Sequence, residues 1–176
     1  MTRSRGLGDV YKRQGLDAQV EVSWDMPAGG TYDNDEITYV DGTFEDAIYM
    51  NSGTAVMGSY FDMPYGVESS TANSCAVWGY QGLSGSTTLS GFAVTAGLPE
   101  SSALYTLPII LEEGQWNVFD LGWDFPGDFV IAIEVSVTIG MAIDASGSPG
   151  QNSWANLGGW QPWTEVANEY LSLIHI

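Results

Sequence analysis

The clearest periodic pattern in the chain covers residues 128–144, where apolar side chains recur at every second position. The recurring side chains are Phe129, Ile131, Ile133, Val135, Val137, Ile139, Met141 and Ile143. A two-residue period rich in β-branched and aromatic residues predicts a core β-strand with one buried face, because a helix would spread these positions around its circumference. The stretch exceeds the usual strand length, so we expect a bulge or bend near Gly140.

Shorter strands separated by turn residues are predicted along most of the chain. They cover residues 20–24, 37–40, 54–62, 74–80, 87–95, 104–111 and 116–121. Pro108 cannot donate a backbone hydrogen bond, which favours an edge position or a bulge. The Gly-, Ser- and Asn-rich stretch after Asp144 is expected to be a loop. Short strands with turn residues between them, and no convincing helix, predict an all-β fold, an antiparallel β-sandwich.

The two ends of the chain are interpreted as foreign to the protein. Residues 4–14 read SRGLGDVYKRQ and residues 171–176 read LSLIHI. Both resemble translations of a transposase-based sequencing adapter, the second in reverse complement. We therefore exclude residues 1–14 and 171–176 from the fold as adapter-like artefacts. Residues 15–30 are expected to be a linker or the edge of an upstream domain, and residues 31–170 a single β-sandwich domain of a larger protein, a metagenomic fragment.

Residues 15–170 are acidic with no balancing charge. The four Lys and Arg residues, the only His and one of the 22 acids lie in the two ends, which leaves 21 acids and no base. Nucleic acid, anionic lipid and phosphate ligands need Lys or Arg, so these partners are not expected. No stretch is apolar enough for a transmembrane helix, so membrane insertion is not expected either. The composition fits a saline or extracellular setting, with a dedicated cation site as the alternative.

The composition also excludes several kinds of catalysis. Without His or Lys, residues 15–170 cannot build a Ser-His-Asp or Cys-His arrangement, a Schiff base, a P-loop or a His-ligated zinc site. Cys75 is the only cysteine, and its apolar neighbours indicate a small buried side chain instead of a nucleophile. We therefore expect no enzyme. A glycoside hydrolase needs only two carboxylates, which keeps a carboxylate-dependent hydrolase as the minor alternative.

The densest group of oxygen ligands lies between residues 33 and 46. The candidate metal ligands there are Asp33, Asp35, Glu36, Asp41 and Glu45. Ca²⁺ takes several oxygen ligands, and extracellular sites tolerate weak affinity, so calcium is the one cofactor that the sequence suggests. No EF-hand spacing is present, and acids solvated at the surface are the simpler interpretation.

Three tryptophans lie in the Gly-rich stretch that follows the core strand: Trp154, Trp160 and Trp163. Exposed aromatic rings beside amides and carboxylates can stack on sugar rings or anchor a protein partner. These residues are therefore the candidate ligand-binding residues, for a glycan or a protein. The alternative is that at least one of them closes the end of the sandwich core.

Five segments in a fixed order carry a resemblance to a known family. They read VSWDMPAGG, ITYVDGTFEDA, GDFVIAIEV, GMAIDASGSPGQNSW and GGWQPW. The order is similar to that of jelly-roll-like β-sandwich modules of large secreted or cell-surface bacterial proteins, which often follow fibronectin-III-like segments. The resemblance implies a non-catalytic extracellular or cell-surface module for binding or adhesion, beside neighbouring domains of the same chain. It assigns no functional residues. A structural spacer with a calcium-stabilised fold is the alternative.

Overall fold

A computed structural model describes residues 46–63, 69–143 and 152–163 with their side chains, and elsewhere only the backbone of the strands at 11–14, 20–23, 36–38, 144, 169–170 and 172–175. The described strands are β1 (Tyr11–Gln14), β2 (Val20–Ser23), β3 (Glu36–Thr38), β4 (Asp46–Ile48), β5 (Ala55–Phe61), β6 (Ser70–Trp78), β7 (Ser86–Thr95), β8 (Leu98–Pro99), β9 (Tyr105–Ile110), β10 (Trp116–Phe125), β11 (Phe129–Val135), β12 (Met141–Asp144), β13 (Ser153–Asn156), β14 (Trp160–Pro162), β15 (Glu169–Tyr170) and β16 (Ser172–His175). Within these residues, no helix has the length and apolarity that a membrane crossing requires.

The chain divides into two compact units, Met1–Asp33 and Asn34–Ile176. In the first unit β1 and β2 pair antiparallel. The second unit contains a seven-stranded sheet in the order β14-β13-β5-β11-β7-β8 with β9 also on β7, a four-stranded sheet in the order β10-β6-β16-β3, and a three-stranded sheet in the order β15-β12-β4. Strand β16 lies in the second of the two ends that resemble adapter sequence, and it pairs with β6. This pairing does not show whether residues 172–175 were encoded by adapter DNA. The adapter-like ends and the domain boundaries at 15–30 and 31–170 therefore stay predictions.

The two larger sheets pack face to face around one main core. Met57, Phe61 and Phe129 of the seven-stranded sheet lie in the same buried cluster as Cys75 and Phe125 of the four-stranded sheet. The chain crosses directly between these two sheets after β5, β6, β9 and β10. All pairings are antiparallel among the described strands, so the predicted all-β antiparallel sandwich is confirmed.

Strand β11 is the centre of the seven-stranded sheet, with β5 on one side and β7 on the other. Phe129, Ile131 and Ile133 face the main core, as the two-residue period predicts. The prediction of a single buried face was wrong, because Val130 and Ala132 are buried in a second cluster on the opposite side of the sheet. We call that opposite side the outer face.

The bend expected near Gly140 is present as an interruption of the alternating stretch, since β11 ends at Val135 and β12 begins at Met141. Ser136 N–H donates to the carbonyl of Ile139 at 2.9 Å. Ser136 Oγ accepts hydrogen bonds from the backbone N–H groups of Thr138 and Ile139, both at 3.2 Å. These local bonds replace the ladder of the sheet and form a turn, although the apolar alternation continues through it.

The stretch after Asp144 that was expected to be a loop contains β13 and β14, so that expectation was wrong. The two strands form a hairpin, and β13 adds to the seven-stranded sheet by pairing Trp154 with Gly58 on β5. Gly58 is required at this crowded position, because a Cβ there would lie 2.1 Å from the carbonyl oxygen of Ile131. Strands β13 and β14 are four and three residues long, which is too short for an alternation of apolar and polar residues to predict them from the sequence.

Candidate functional site

The outer face of the seven-stranded sheet is concave. Strands β13, β5 and β11 lie between β14 and β7, so a flat sheet would hold β14 and β7 about 19 Å apart. The ring centroids of Trp160 on β14 and Phe92 on β7 are nevertheless 4.8 Å apart, in an edge-to-face arrangement. The sheet therefore curves, and these two large side chains close the distance that remains.

A groove of about 260 Å³ lies where the two sides of the sheet approach each other. We call it the Trp160 groove, and it is lined by Leu98, Pro99, Ser101, Asn156, Gly158, Gly159 and Trp160. One wall is β8 and the residues after it, and the other is the β13–β14 hairpin. Pockets for drug-sized ligands measure roughly 300–1,000 Å³, so this groove has room for one small ring or side chain.

Trp160 is held in place by contacts within the protein. Its Nε1–H donates to the carbonyl oxygen of Glu100 at 2.9 Å, and its ring meets the ring of Phe92. The side chain is half-buried, so part of the indole remains at the surface of the groove. Because its polar atom is already bonded, the indole offers a ligand mainly an apolar ring surface in a fixed orientation, and little conformational entropy remains to be lost on binding.

Two tight turns shape the walls of the groove. The β7–β8 hairpin turns at Ala96 and Gly97, whose φ angles are 53° and 77°. Positive φ at both central residues is typical of a two-residue turn that matches the twist of the strands. In the β13–β14 turn, Gly158 has a φ of 108° and its N–H donates to Asn156 Oδ1 at 3.2 Å. That bond orients the Asn156 amide at the groove.

The lining of the Trp160 groove is apolar with a few uncharged polar groups. The polar side chains are the hydroxyl of Ser101 and the amide of Asn156. None of the lining residues is ionisable. The nearest acid along the chain is Glu100, whose side chain is exposed and whose carbonyl holds Trp160. This mixture of a large apolar surface and a few placed polar groups is typical of small-molecule sites.

The structure separates the three candidate tryptophans. Trp160 lines the groove, whereas Trp154 is only 7% exposed and its ring stacks on that of Tyr60 with centroids 5.6 Å apart. Trp163 is half-buried and packs against the main core. The Nε1 atoms of Trp154 and Trp163 are buried and have no hydrogen-bond partner among the described residues. The assignment of these three residues to a ligand stays a prediction.

Most of the groove escaped the sequence analysis. Leu98, Pro99 and Ser101 are more than fifty positions from Trp160 in the chain and lie on the opposite side of the sheet, and only the curvature of the sheet brings them together. The local features in the sequence are Trp160 itself, an aromatic residue in a Gly-rich stretch, and the two glycines before it, which indicate a turn.

The predicted calcium cluster lies outside the residues whose side chains the structure describes. This applies to Asp33, Asp35, Asp41 and Glu45, and Glu36 is described only as a backbone position at the start of β3. Where side chains are described, no group of three or more His, Cys, Asp or Glu residues could hold a metal ion. Calcium therefore stays a prediction.

Cys75 lies in the main core and is fully buried, as its apolar surroundings predicted. Burial disfavours the charged thiolate and raises the pKa of the thiol from 9.0 to about 12. At neutral pH the side chain is a neutral thiol without access to solvent, so it is not a nucleophile in the folded protein.

Comparison with known proteins gives a likeness of fold. No protein-family model matches the chain. No curated protein matches it in sequence. Among solved structures, the chain is similar to a variant of the clostridial cysteine protease Cwp84 after propeptide cleavage, with a TM-score of 0.65 and 11% identity over 88% of this chain and 41% of that one. It is equally similar, at a TM-score of 0.65 and 10% identity over 88% of this chain and 37% of that one, to a structure of the cysteine protease and lectin-like domains of Cwp84, a surface layer associated protein of Clostridium difficile.

The chain spans about two fifths of the length of these solved chains, and the likeness falls on the lectin-like part. At this level of identity the likeness shows a shared β-rich fold. Fold alone does not determine function, so it transfers no binding residue and no ligand to this chain.

Proposed function

We propose that the chain is a non-catalytic accessory module of a secreted or cell-surface protein and that it binds a glycan in the Trp160 groove. The observation that carries the proposal is the indole of Trp160, half-buried in a groove and held by its hydrogen bond to Glu100 O. A rigid aromatic surface beside a hydroxyl and an amide suits the apolar face and the hydroxyl groups of a sugar ring.

The composition of the groove supports a binding role over a catalytic one. A glycoside hydrolase places two carboxylates about 5–9.5 Å apart across the bond it cleaves. The groove lining contains no carboxylate, and residues 15–170 contain no His or Lys that could serve as a base or nucleophile. Turnover of a polysaccharide by the purified chain, lost on changing one acid to its amide, would contradict this part of the proposal.

The fold and the charge support the proposed location at a surface. One structural neighbour is described as a surface layer associated protein, and the likeness falls on its lectin-like part. An excess of acids with no base keeps a protein soluble in a saline medium. The proposed partners are accordingly a glycan and the neighbouring domains of the same protein, without nucleic acid and without membrane insertion.

A glycan array probed with the 176-residue chain tests the proposal. We expect binding that is lost in Gly159→Leu, because this change adds a side chain to the groove at a position where a Cβ meets no atom within 4 Å. Trp160→Ala is expected to weaken binding about tenfold or more. Trp116→Ala is the matched control, since Trp116 contacts Trp78 on the other large sheet.

Two results would contradict the proposal. Binding that survives Gly159→Leu would move the site away from the groove. No binding to any glycan by a folded chain at high concentration would leave a structural spacer as the function.

A further inference from the structure

We infer that the Trp160 groove selects an uncharged sugar ring and rejects glycans that carry carboxylate, sulfate or phosphate groups. The inference rests on the proposed function and adds the chemical class of its ligand. It is carried by the lining of the groove and by the charges that surround it.

The lining offers hydrogen bonds that match hydroxyl groups. Asn156 Oδ1 accepts the N–H of Gly158, and the Nδ2 atom of the same amide carries two N–H groups that can donate to a ligand. The hydroxyl of Ser101 both donates and accepts. Sugar hydroxyls do the same, which lets a neutral ring satisfy both side chains while its apolar face lies against Trp160.

An anionic group would meet no compensating charge at this site. An anion that leaves water needs a cation or several donors to offset its lost hydration. No lining residue is charged, and residues 15–170 contain no Lys, Arg or His. The charge beside the groove is negative, because Glu100 lies between the lining residues Pro99 and Ser101 in the chain and is exposed. Like charges at a binding surface discriminate against a partner.

A cationic glycan would be attracted to the chain as a whole and not by the groove. The lining places no carboxylate against a bound amine. Attraction to distant acids is screened over about 8 Å at physiological ionic strength, so it weakens as salt is added. Binding of a neutral ring depends on stacking and hydrogen bonds and is expected to change little with salt.

The test uses an array that carries the same oligosaccharide backbones in neutral, sialylated, sulfated, uronic-acid and amine-bearing forms, probed in low and in high sodium chloride. We expect the neutral form of a bound backbone to exceed its anionic forms about tenfold or more in affinity, at both salt concentrations. Gly159→Leu removes this binding and Trp116→Ala preserves it.

A second variant tests the charge argument by gain of binding. Ser101→Lys places an ammonium group at the groove, and we expect it to raise affinity for the anionic forms about tenfold or more relative to the parent chain. Ser102→Lys is the matched control, since Ser102 is also exposed and does not line the groove. An equal gain in both variants would mean that bulk charge and not the groove sets the preference.

The outcomes separate the inference from the proposed function. Anionic forms that bind the parent chain as well as neutral forms overturn the inference alone. Binding that is confined to amine-bearing forms and disappears in high salt also overturns the inference alone. Absence of binding to every form overturns the proposed function and the inference with it.

Discussion

Ala96 is the only non-glycine residue with a positive φ in the part of the chain that the structure describes, at 53°. It occupies the first central position of the β7–β8 turn, next to Gly97. This region of φ crowds the Cβ of an L-residue, whereas Asn and Gly enter it readily. The turn therefore contains a small local strain beside the Trp160 groove.

Ala96→Asn should relieve that strain and stabilise the fold. We expect the free energy of unfolding to rise by roughly 0.5–1 kcal/mol, as measured by urea denaturation. The opposite change, Gly97→Ala, should lower it, because φ at Gly97 is 77°. Equal effects of the two variants would show that the turn has a different conformation in solution.

The raised pKa of the Cys75 thiol leads to a second prediction, which concerns how the stability of the fold depends on pH. An unfolded thiol titrates near 9.0 and the folded one near 12, so between these values the folded state binds more protons than the unfolded state. The contribution of the Cys75 thiol to the free energy of unfolding is therefore complete below about pH 9, and it is lost as the pH rises towards 12. We expect Cys75→Ala to lose less stability than the parent chain between neutral and alkaline pH, measured by denaturation at each pH.

The same burial predicts the reactivity of the thiol. A thiol reagent such as DTNB should leave the folded chain unlabelled at neutral pH and should label it fully in denaturant. Rapid labelling without denaturant would contradict the buried position of Cys75.

At the scale of elements, one side chain organises the connection between β9 and β10. Asn117 is buried; its Oδ1 accepts the N–H of Glu112 at 2.8 Å, and its Nδ2 donates to the carbonyls of Glu112 and Gln115 at 3.0 and 3.1 Å. The same turn is joined to the end of β6, because Gly79 N–H donates to Gln115 O at 3.0 Å. Truncating the amide leaves backbone groups of the turn without a partner.

We therefore expect Asn117→Ala to lower the free energy of unfolding by about 1–3 kcal/mol in urea denaturation. Asn73→Ala is the matched control, since Asn73 is exposed on the neighbouring strand β6 and its truncation should change little. Similar losses in both variants would mean that the hydrogen bonds of Asn117 do not stabilise the turn.

Alternation of apolar side chains was enough to predict several strands. The predicted strands at 54–62, 87–95 and 104–111 agree closely with β5, β7 and β9, and β9 pairs only with β7 among the described strands, as Pro108 favoured. Alternation failed where other forces set the structure. It continued through the turn at Ser136, where a side-chain oxygen ends the strand, and it was absent from β13 and β14, which are stabilised by pairing with β5 and with each other.

The Trp160 groove was predicted only in part for a related reason. Trp160 was recognised because an aromatic residue in a glycine-rich stretch is a local feature. The opposing wall around Leu98 and Ser101 depends on the curvature of the sheet and on the contact between Trp160 and Phe92. Curvature results from the packing of many strands, so one stretch of sequence does not encode it.

At the scale of the whole molecule, the absence of any base between residues 15 and 170 means that no side-chain salt bridge can form there. The 21 acids of this segment repel one another, most strongly in the compact state. Added salt screens that repulsion, so we expect the thermal unfolding midpoint to rise from low to high sodium chloride.

Calcium and magnesium at matched ionic strength distinguish screening from a specific site. A midpoint that rises further in calcium than in magnesium, and loses that difference in Asp35→Asn and Asp41→Asn, would assign a site to the predicted cluster. Equal midpoints in the two salts would mean that the acids are solvated and that screening accounts for the whole effect.

The position of β11 at the centre of the seven-stranded sheet also affects how the protein is made. Its partner β5 precedes it by about 70 residues in the chain, and its other partner, β7, is also synthesised before it. Ribosomes add about 5–20 residues per second, so β5 remains without its central partner for several seconds after it emerges. During that interval the nascent chain exposes unpaired apolar strands, and the negative charge of its acids opposes the pairing of these strands with those of another chain.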